Sequence, residues 1–359
     1  MSGQPWLLTR KYPPSVGGMQ QLSFHLVSGM QALRPVTVIA WRWGQWGLPI
    51  FFLVALVRLL PALLLSRISV LHLGDPALSA LGVLPRLFGV PVVVTVHGLD
   101  IAWPARFYQL YLRLFFWRRM DAYVAISRHV RDELLSAGID HEQVQVIGLG
   151  VDALHAIEPD PEMEARFAQR RPLLLALGRL VERKGLDWFL TSVAPAWLAR
   201  HAAATLVIAG EGPQRAELEA TIKAQDLQSQ VALIGPVSES RKAWLFERCD
   251  LVLMPNLDLP GDAEGFGLVA LEAGQAGRWV VAADLQGLRD AITEGANGTR
   301  IKAGDAAAWS QALDKLCGDR ETLEQLGRQA RNFVTTRYSW SAMAASYDRL
   351  FRSLESDAA

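Results

Sequence analysis

Two cysteines in 359 residues, Cys249 and Cys317, are too few and too far apart for a disulfide framework, so the expectation is a reducing compartment. There is no Asp-x-Asp pair and no His/Cys ligand cluster, and no resident metal is expected. Low-complexity tracts and short repeats are missing, which excludes a solenoid or a disordered chain. No signal-peptide pattern opens the sequence, so Asn297-Gly298-Thr299 is expected to be an idle sequon in a cytoplasmic protein. The scarcest feature is acid at one end. Residues 1–120 hold only Asp75 and Asp100 against 11 Lys or Arg, a net +9 that the rest of the chain cancels to an overall charge of zero. Such a split implies an anionic partner for the first part. Nucleic acid is not expected, because the basic residues are interleaved with aliphatic and aromatic runs and no nucleic-acid module is present. An anionic membrane surface fits better.

With 51% hydrophobic and 20% charged residues, the chain has material for a large interior, and its length predicts two domains. Apolar runs alternate with helical patterns twice over, the pattern of doubly wound parallel sheets. The first half predicts strands at Trp6–Thr9, Val36–Ala40, Val70–Leu73, Val90–Val96, Ala122–Ala125 and Val144–Ile147. The second predicts them at Leu173–Leu177, Thr205–Ala209, Val231–Ile234, Leu251–Met254, Trp279–Ala282 and Thr299–Ile301. The expected division is a first domain over 1–156, a Pro-rich acidic linker over 157–170, a second domain over 171–337 and a final helical segment over 338–359. Trp46–Ser66 is almost wholly apolar, but Arg58 and Pro61 interrupt it, so a buried or interfacial helix is expected rather than a spanning one. Trp103–Met120 mixes aromatics with Arg106, Arg113, Arg118 and Arg119, as an interfacial segment does; the alternative is that its aromatics are core.

The chemistry concentrates in Glu264-Gly265-Phe266-Gly267-Leu268-Val269-Ala270-Leu271-Glu272. Two carboxylates eight residues apart bracket a glycine turn that opens a small-residue helix. A carboxylate accepts two hydroxyl hydrogen bonds at once, and uncovered N–H groups at a helix N-terminus favour phosphate. The set suits a nucleotide sugar: Glu264 for the sugar, the amides of Gly265 to Leu268 for phosphate and Glu272 for ribose. A Glu272 side chain facing a small apolar helix environment would otherwise be an unpaired interior carboxylate. Upstream, Gly178-Arg179-Leu180-Val181-Glu182-Arg183-Lys184-Gly185 follows an apolar strand and places Arg179 and Lys184 where a departing diphosphate needs cations.

These segments resemble the retaining glycosyltransferases of family four, which have the GT-B fold, and the resemblance covers nearly the whole chain. Tyr12-Pro13-Pro14-Ser15-Val16-Gly17-Gly18-Met19 is similar to that family's N-terminal glycine loop, and Val96-His97-Gly98-Leu99-Asp100 to its His-Gly segment. Ala125-Ile126-Ser127, Gly150-Val151-Asp152 and Gly287-Leu288-Arg289-Asp290 extend the match. Leu149 stands where the family usually has Asn, and Asp290 where it often has Glu. The resemblance implies an α/β fold of two Rossmann-like doubly wound domains facing a cleft, with the final helix crossing back to the first domain. It implies catalytic roles for Arg179, Lys184, His97 and Glu264. It implies donor contacts from Gly17, Gly18, Asp100, Gly178, Gly265, Phe266, Gly267, Leu268 and Glu272. It further implies a nucleoside diphosphate sugar as donor substrate and no cofactor. Ser127 opens a helix and is expected to be its N-cap.

The expected activity is transfer of a hexose from a UDP- or GDP-sugar to a lipid-linked saccharide or glycolipid in bacterial surface-polysaccharide synthesis, peripheral on the inner face of the plasma membrane. The alternatives are an epimerase or hydrolase on the same fold, a non-catalytic sugar-nucleotide binding module, and an integral membrane protein built around Trp46–Ser66. Gly148-Leu149-Gly150-Val151-Asp152-Ala153 formally matches a dinucleotide fingerprint, but the acidic Pro-rich segment after it is no helix, and no nicotinamide site is expected.

Overall fold

The computed structural model describes residues 3–15, 17–41, 47–152 and 158–357. Val16 of the glycine segment, Trp46 at the head of the apolar segment, Ala153 and Ile157 lie outside the described residues. The chain divides into two compact units, Met1–Gly150 with Tyr338–Ala359, and Val151–Arg337.

The first unit holds β1 (Gln4–Thr9), β2 (Thr37–Ala40), β3 (Ile68–Leu73), β4 (Val92–Val96), β5 (Ala122–Ala125) and β6 (Val144–Val146) in one parallel sheet of order β2-β1-β3-β4-β5-β6. The second holds β7 (Leu173–Leu177), β8 (Thr205–Ala209), β9 (Val231–Gly235), β10 (Leu251–Met254), β11 (Trp279–Ala283) and β12 (Gly298–Ile301), parallel, in the order β12-β11-β10-β7-β8-β9. Each expected strand forms within two residues of its expected ends. The reason is double-sided burial: β4, β8 and β11 are buried at every position, so they appear in sequence as unbroken apolar runs. Each sheet has one point where the strand order reverses, between β1 and β3 in the first and between β7 and β10 in the second. Ligands gather at such switch points, at the carboxyl ends of the strands.

In the first sheet the connection from β1 to β2 runs one way and those from β2 through β6 run the other. Right-handed crossovers therefore put helix Gly18–Leu33 on one face, and helices Leu48–Leu64, Val83–Leu87 and Arg106–Phe115 on the opposite face. The final helix, Trp340–Asp357, packs on helix Gly18–Leu33 and on β3, all in the first unit. Arg34 binds Asp348 and Glu355 at 2.8 Å each. The buried Tyr347 hydroxyl lies 2.8 Å from Thr95 Oγ1, which also meets His72 Nε2 at 2.8 Å. Burial, helped by the charge of His97, pushes the His72 pKa down to about 3, so this core histidine is neutral. Residues 161–167, inside the segment expected as linker, form a helix capped by Asp160, whose carboxylate also binds Arg241 at 2.7 Å.

The aromatics of Trp103–Met120 divide rather than lie together on one surface. Tyr111 and Tyr108 turn inward, their hydroxyls donating to Ala77 O (2.8 Å) and Asp100 O (2.6 Å), and Phe116 is fully buried against Tyr123, whereas Trp103 and Phe107 are exposed. The reason is helical period. Positions 108, 111 and 112 turn inward, Tyr111 onto the Pro76–Gly82 turn, and 107, 110 and 114 face out. Both cysteines are free, and burial pushes each thiol up to about 12.

Candidate functional site

The second unit's switch point carries most of the expected donor residues. After β7 the backbone turns through Gly178 at φ +142° and makes a single helical turn, Glu182–Lys184, before Gly185 at φ +64° starts helix Leu186–Ser192. Gly185 is demanded by its surroundings as well as its backbone, because a Cβ there would lie 2.0 Å from Pro255 O. The loop after β10 is thereby sewn to the loop after β7, and Leu257 N also donates to Arg183 O at 2.9 Å. On the other side, Gly210 and Gly212 follow β8. A Cβ on Gly210 would meet Gly178 O at 1.8 Å and one on Gly212 would meet Leu180 O at 2.2 Å, and this close approach lets Leu180 N donate to Glu211 O at 2.9 Å.

Into this frame project the charges. Lys184 Nζ donates to Glu264 Oε2 at 2.6 Å, the buried Asn256 Nδ2 donates to the same oxygen at 3.0 Å, and Arg183 Nε stands 3.7 Å from it. Burial alone would raise the Glu264 pKa. The adjacent Lys184 charge and hydrogen bond, with Arg183 and Asn256, outweigh it and hold the carboxylate below its ordinary value. Arg183 is anchored by Asp262 at 2.9 Å. Arg179 is exposed and makes no ion pair among the described residues. Glu264 is itself positioned through its backbone, its N donating to Gln286 Oε1 at 2.7 Å and its O accepting from Gly287 N at 3.1 Å.

Gly267, at φ +87°, turns the chain into helix Leu268–Gln275, which has neither a side-chain cap nor an acid in its first turn. Phe266 is buried beside it. The N-terminal amides of this helix are thus open to an anion, with Lys184 in the neighbouring loop. Glu272, on the same helix, departs from expectation. Instead of an unpaired carboxylate that only a ribose would satisfy, it accepts from Lys242 Nζ at 2.9 Å, and Lys242 also binds Glu239 at 2.7 Å. Burial raises the Glu272 pKa and Lys242 only partly offsets it. Glu272 is therefore a paired carboxylate rather than the expected unpaired one, its cation supplied by helix Glu239–Arg248.

The other expected residues sit at the first unit's strand ends. His97 closes β4 and is nearly buried. Its Nε2 lies 3.0 Å from Gly74 O, and since a carbonyl only accepts, Nε2 carries the proton. Its backbone N donates to both Asp100 oxygens, at 3.1 and 3.0 Å. Desolvation lifts the Asp100 pKa to about 6, against the opposing influence of His97. Gly17, at φ +153°, precedes helix Gly18–Leu33, and a Cβ on Gly18 would meet nothing within 4 Å, so the fold itself does not require glycine at position 18. Ser127 caps its helix, accepting from Val130 N at 3.2 Å. Sequence reasoning missed Asp75, fully buried after β3, which accepts from Arg10 Nε at 2.9 Å and Ala77 N at 3.0 Å and leaves its Oδ2 without a hydrogen bond. The signal was there in Gly74-Asp75-Pro76 directly after an apolar strand. It also missed Lys242, Asn256 and the Arg183–Asp262 pair.

The raised Asp100 pKa gives a pH dependence. The folded state holds the proton to higher pH than the unfolded state, so it binds more protons between about pH 4 and pH 6 and loses stability as pH rises through that window. Urea unfolding of Asp100→Asn is expected to lack this decline, and parallel profiles for the two proteins would show that Asp100 does not titrate so.

Comparison with known proteins gives two adjoining family matches, Glycosyltransferase Family 4 over residues 6–153 and Glycosyl transferases group 1 over residues 161–333. A glycogen synthase of Mycobacterium tuberculosis is 28% identical over 303 residues, covering 79% of this chain and 69% of its own length. A GDP-mannose-dependent alpha-(1-6)-phosphatidylinositol monomannoside mannosyltransferase of the same organism is 28% identical over 272 residues, covering 72% and 69%. Among solved structures, Anabaena HepE in complex with UDP superposes with a TM-score of 0.74 at 19% identity, covering 98% of this chain and 100% of that one. Two parallel-sheet units with these matches end to end show that the chain belongs to the family-four, group 1 glycosyltransferases and has the GT-B fold.

Proposed function

We propose that this glycosyltransferase moves a hexose from a UDP- or GDP-sugar, with retention at the anomeric carbon, to a lipid-linked saccharide or glycolipid in bacterial surface-polysaccharide synthesis such as that of lipopolysaccharide. The observation that carries the donor half is the Lys184–Glu264 pair beside the open N-terminus of helix Leu268–Gln275, at the switch point of the second sheet. Glu264, kept ionised by Lys184, accepts from sugar hydroxyls, and Glu272 from the ribose in competition with Lys242. In the reaction the bond from C1 to the diphosphate oxygen breaks, the acceptor oxygen bonds to C1 on the same face, and the leaving phosphate takes the acceptor's proton. Arg179, Lys184 and the amides of Gly265, Phe266, Gly267 and Leu268 stabilise the charge that builds on the diphosphate, so no metal is needed there. Gly178 lets the β7 loop pass close to that charge. On the acceptor side, Gly17 and Gly18 leave room at the reacting centre, and the unprotonated Nδ1 of His97, whose Nε2 proton goes to Gly74 O, and the Asp100 carboxyl accept from hydroxyls of the transferred sugar.

The lipid acceptor is supported by the net +9 of residues 1–120 and by the mannosyltransferase relative, which is named for a phosphatidylinositol monomannoside. The enzyme then works on the cytoplasmic side, peripheral on the inner face of the plasma membrane. The test is diphosphate release from UDP- and GDP-hexoses with and without membrane lipid extract. Release that depends on extract is expected, with Glu272→Ala weakening nucleotide binding by about 1.5–3 kcal/mol. Release without any acceptor, or unchanged affinity in the variant, would contradict the acceptor and ribose assignments respectively.

A further inference from the structure

Helix Leu48–Leu64 is apolar on both of its faces. Phe51, Ala55, Leu59, Ala62 and Leu63 are buried, a stripe that fastens the helix flat against its own unit. The opposite stripe, Ile50, Leu53, Val57, Leu60 and Leu64, is exposed at the same helical spacing, with Val57 64% and Leu64 66% accessible. No polar residue relieves that stripe, and Arg58 stands beside it. The apolar surface continues onto neighbouring elements of the same face of the sheet. Leu87 is 78% exposed at the end of helix Val83–Leu87, and Phe107 is 90% exposed on helix Arg106–Phe115, while the Pro76–Gly82 turn touches all three helices. Monomeric soluble proteins rarely leave so broad an apolar surface bare.

Along the segment from residue 47 to 120, which supplies these three helices, the exposed charges have one sign. Arg58, Arg67, Arg106 and Arg113 are exposed among the apolar residues, and the only acids between residues 47 and 120, Asp75 and Asp100, are withdrawn into the interior polar cluster described above. We infer that this face, with helix Leu48–Leu64 at its centre, seats the protein monotopically on an anionic lipid surface, the exposed stripe entering the acyl boundary and the arginines meeting the headgroups. The inference rests on the lipid-acceptor reading above and names the surface that serves it. A second copy of the chain fits less well, because a two-fold contact would set the same arginines against one another. Spanning also fits less well. A 17-residue helix is about 25 Å long, short of a hydrocarbon core of about 30 Å, and no helix among the described residues is long and apolar enough to cross a membrane. The helix's first turns further border a hollow of about 450 Å³ with Gln31 of helix Gly18–Leu33 and with Tyr12 and Trp41, which follow β1 and β2, so lipid held on this face lies beside the ligand edge of the sheet.

Binding through apolar insertion differs from binding by charge alone. Salt screens the arginines but leaves the apolar contribution, so partial retention at high ionic strength is expected in place of full release. The experiment is co-sedimentation of the full chain with mixed phosphatidylcholine–phosphatidylglycerol vesicles and with phosphatidylcholine alone, at low and high salt. It is repeated with Leu53→Asn, Val57→Asn and Leu64→Asn combined, and calorimetric UDP and GDP binding and sedimentation velocity are measured on both proteins. The triple variant is expected to lose at least about ten-fold in vesicle partition while binding nucleotide as wild type does. Equal pelleting of variant and wild type, no pelleting of wild type on the mixed vesicles, or a dimer that the triple change dissociates would each overturn the inference. Nucleotide binding is scored separately, so a failure of the donor reading appears there and not in the vesicle arm.

Discussion

Replacing Lys184 by Ala is expected to lower turnover by about 10²–10³, the cost of losing one preorganised charge stabiliser at a developing anion. The geometry makes the loss two-fold in kind. Lys184 is the nearest cation to Glu264, at 2.6 Å, and through that contact it stands beside the segment that leads into the open terminus of helix Leu268–Gln275. Without it, Glu264 keeps Asn256 at 3.0 Å and Arg183 at 3.7 Å, so the carboxylate is not orphaned and the unit is expected to remain folded. Arg179→Ala is expected to fall in the same range, and with less effect on stability, because its side chain is exposed and bonds to nothing among the described residues. Single-turnover rates with saturating donor, beside melting curves for each variant, separate the two contributions. Rates within three-fold of wild type for both variants would remove them from the charge-stabilising role.

What was legible in the sequence follows from which interactions are local. Strands buried on both faces declare themselves as apolar runs, and the turn from Gly267 into a small-residue helix is written in consecutive residues. Pairings made by topology are not. β7 lies beside β10 and β8, so Arg183 finds Asp262, and Gly210 finds Gly178, across gaps that no local pattern bridges. Glu272 illustrates the error this causes. Its helix is small and apolar as the sequence shows, but the carboxylate is paired by Lys242, which arrives from a helix thirty positions upstream. Helix Leu48–Leu64 illustrates another. Hydrophobicity along one segment does not say which stripe is covered, and only the sheet beneath it separates the buried Phe51, Ala55 and Leu59 from the bare Leu53, Val57 and Leu64.

The largest stability effect is expected at Gly210, a residue with no chemistry of its own. Its φ of +147° is strained for any L side chain, and the Cβ of alanine would lie 1.8 Å from Gly178 O, a backbone atom that cannot rotate aside. Relief requires the loops after β7 and β8 to part. That breaks the bond from Gly178 N to Ala209 O at 3.0 Å and the one from Leu180 N to Glu211 O at 2.9 Å, and carries Arg179 with them. Backbone strain and overpacking together are expected to cost about 2–5 kcal/mol. Gly18→Ala is the contrasting case: the Cβ meets nothing within 4 Å, so stability should change by less than about 0.5 kcal/mol, and any fall in turnover reports the reacting centre instead of the fold. Chemical denaturation of the two variants, paired with nucleotide titration, distinguishes them. A Gly210→Ala protein as stable as wild type would mean that the β7 loop yields freely, and the diphosphate stabilisers would then be less preorganised than the turnover argument for Lys184 requires.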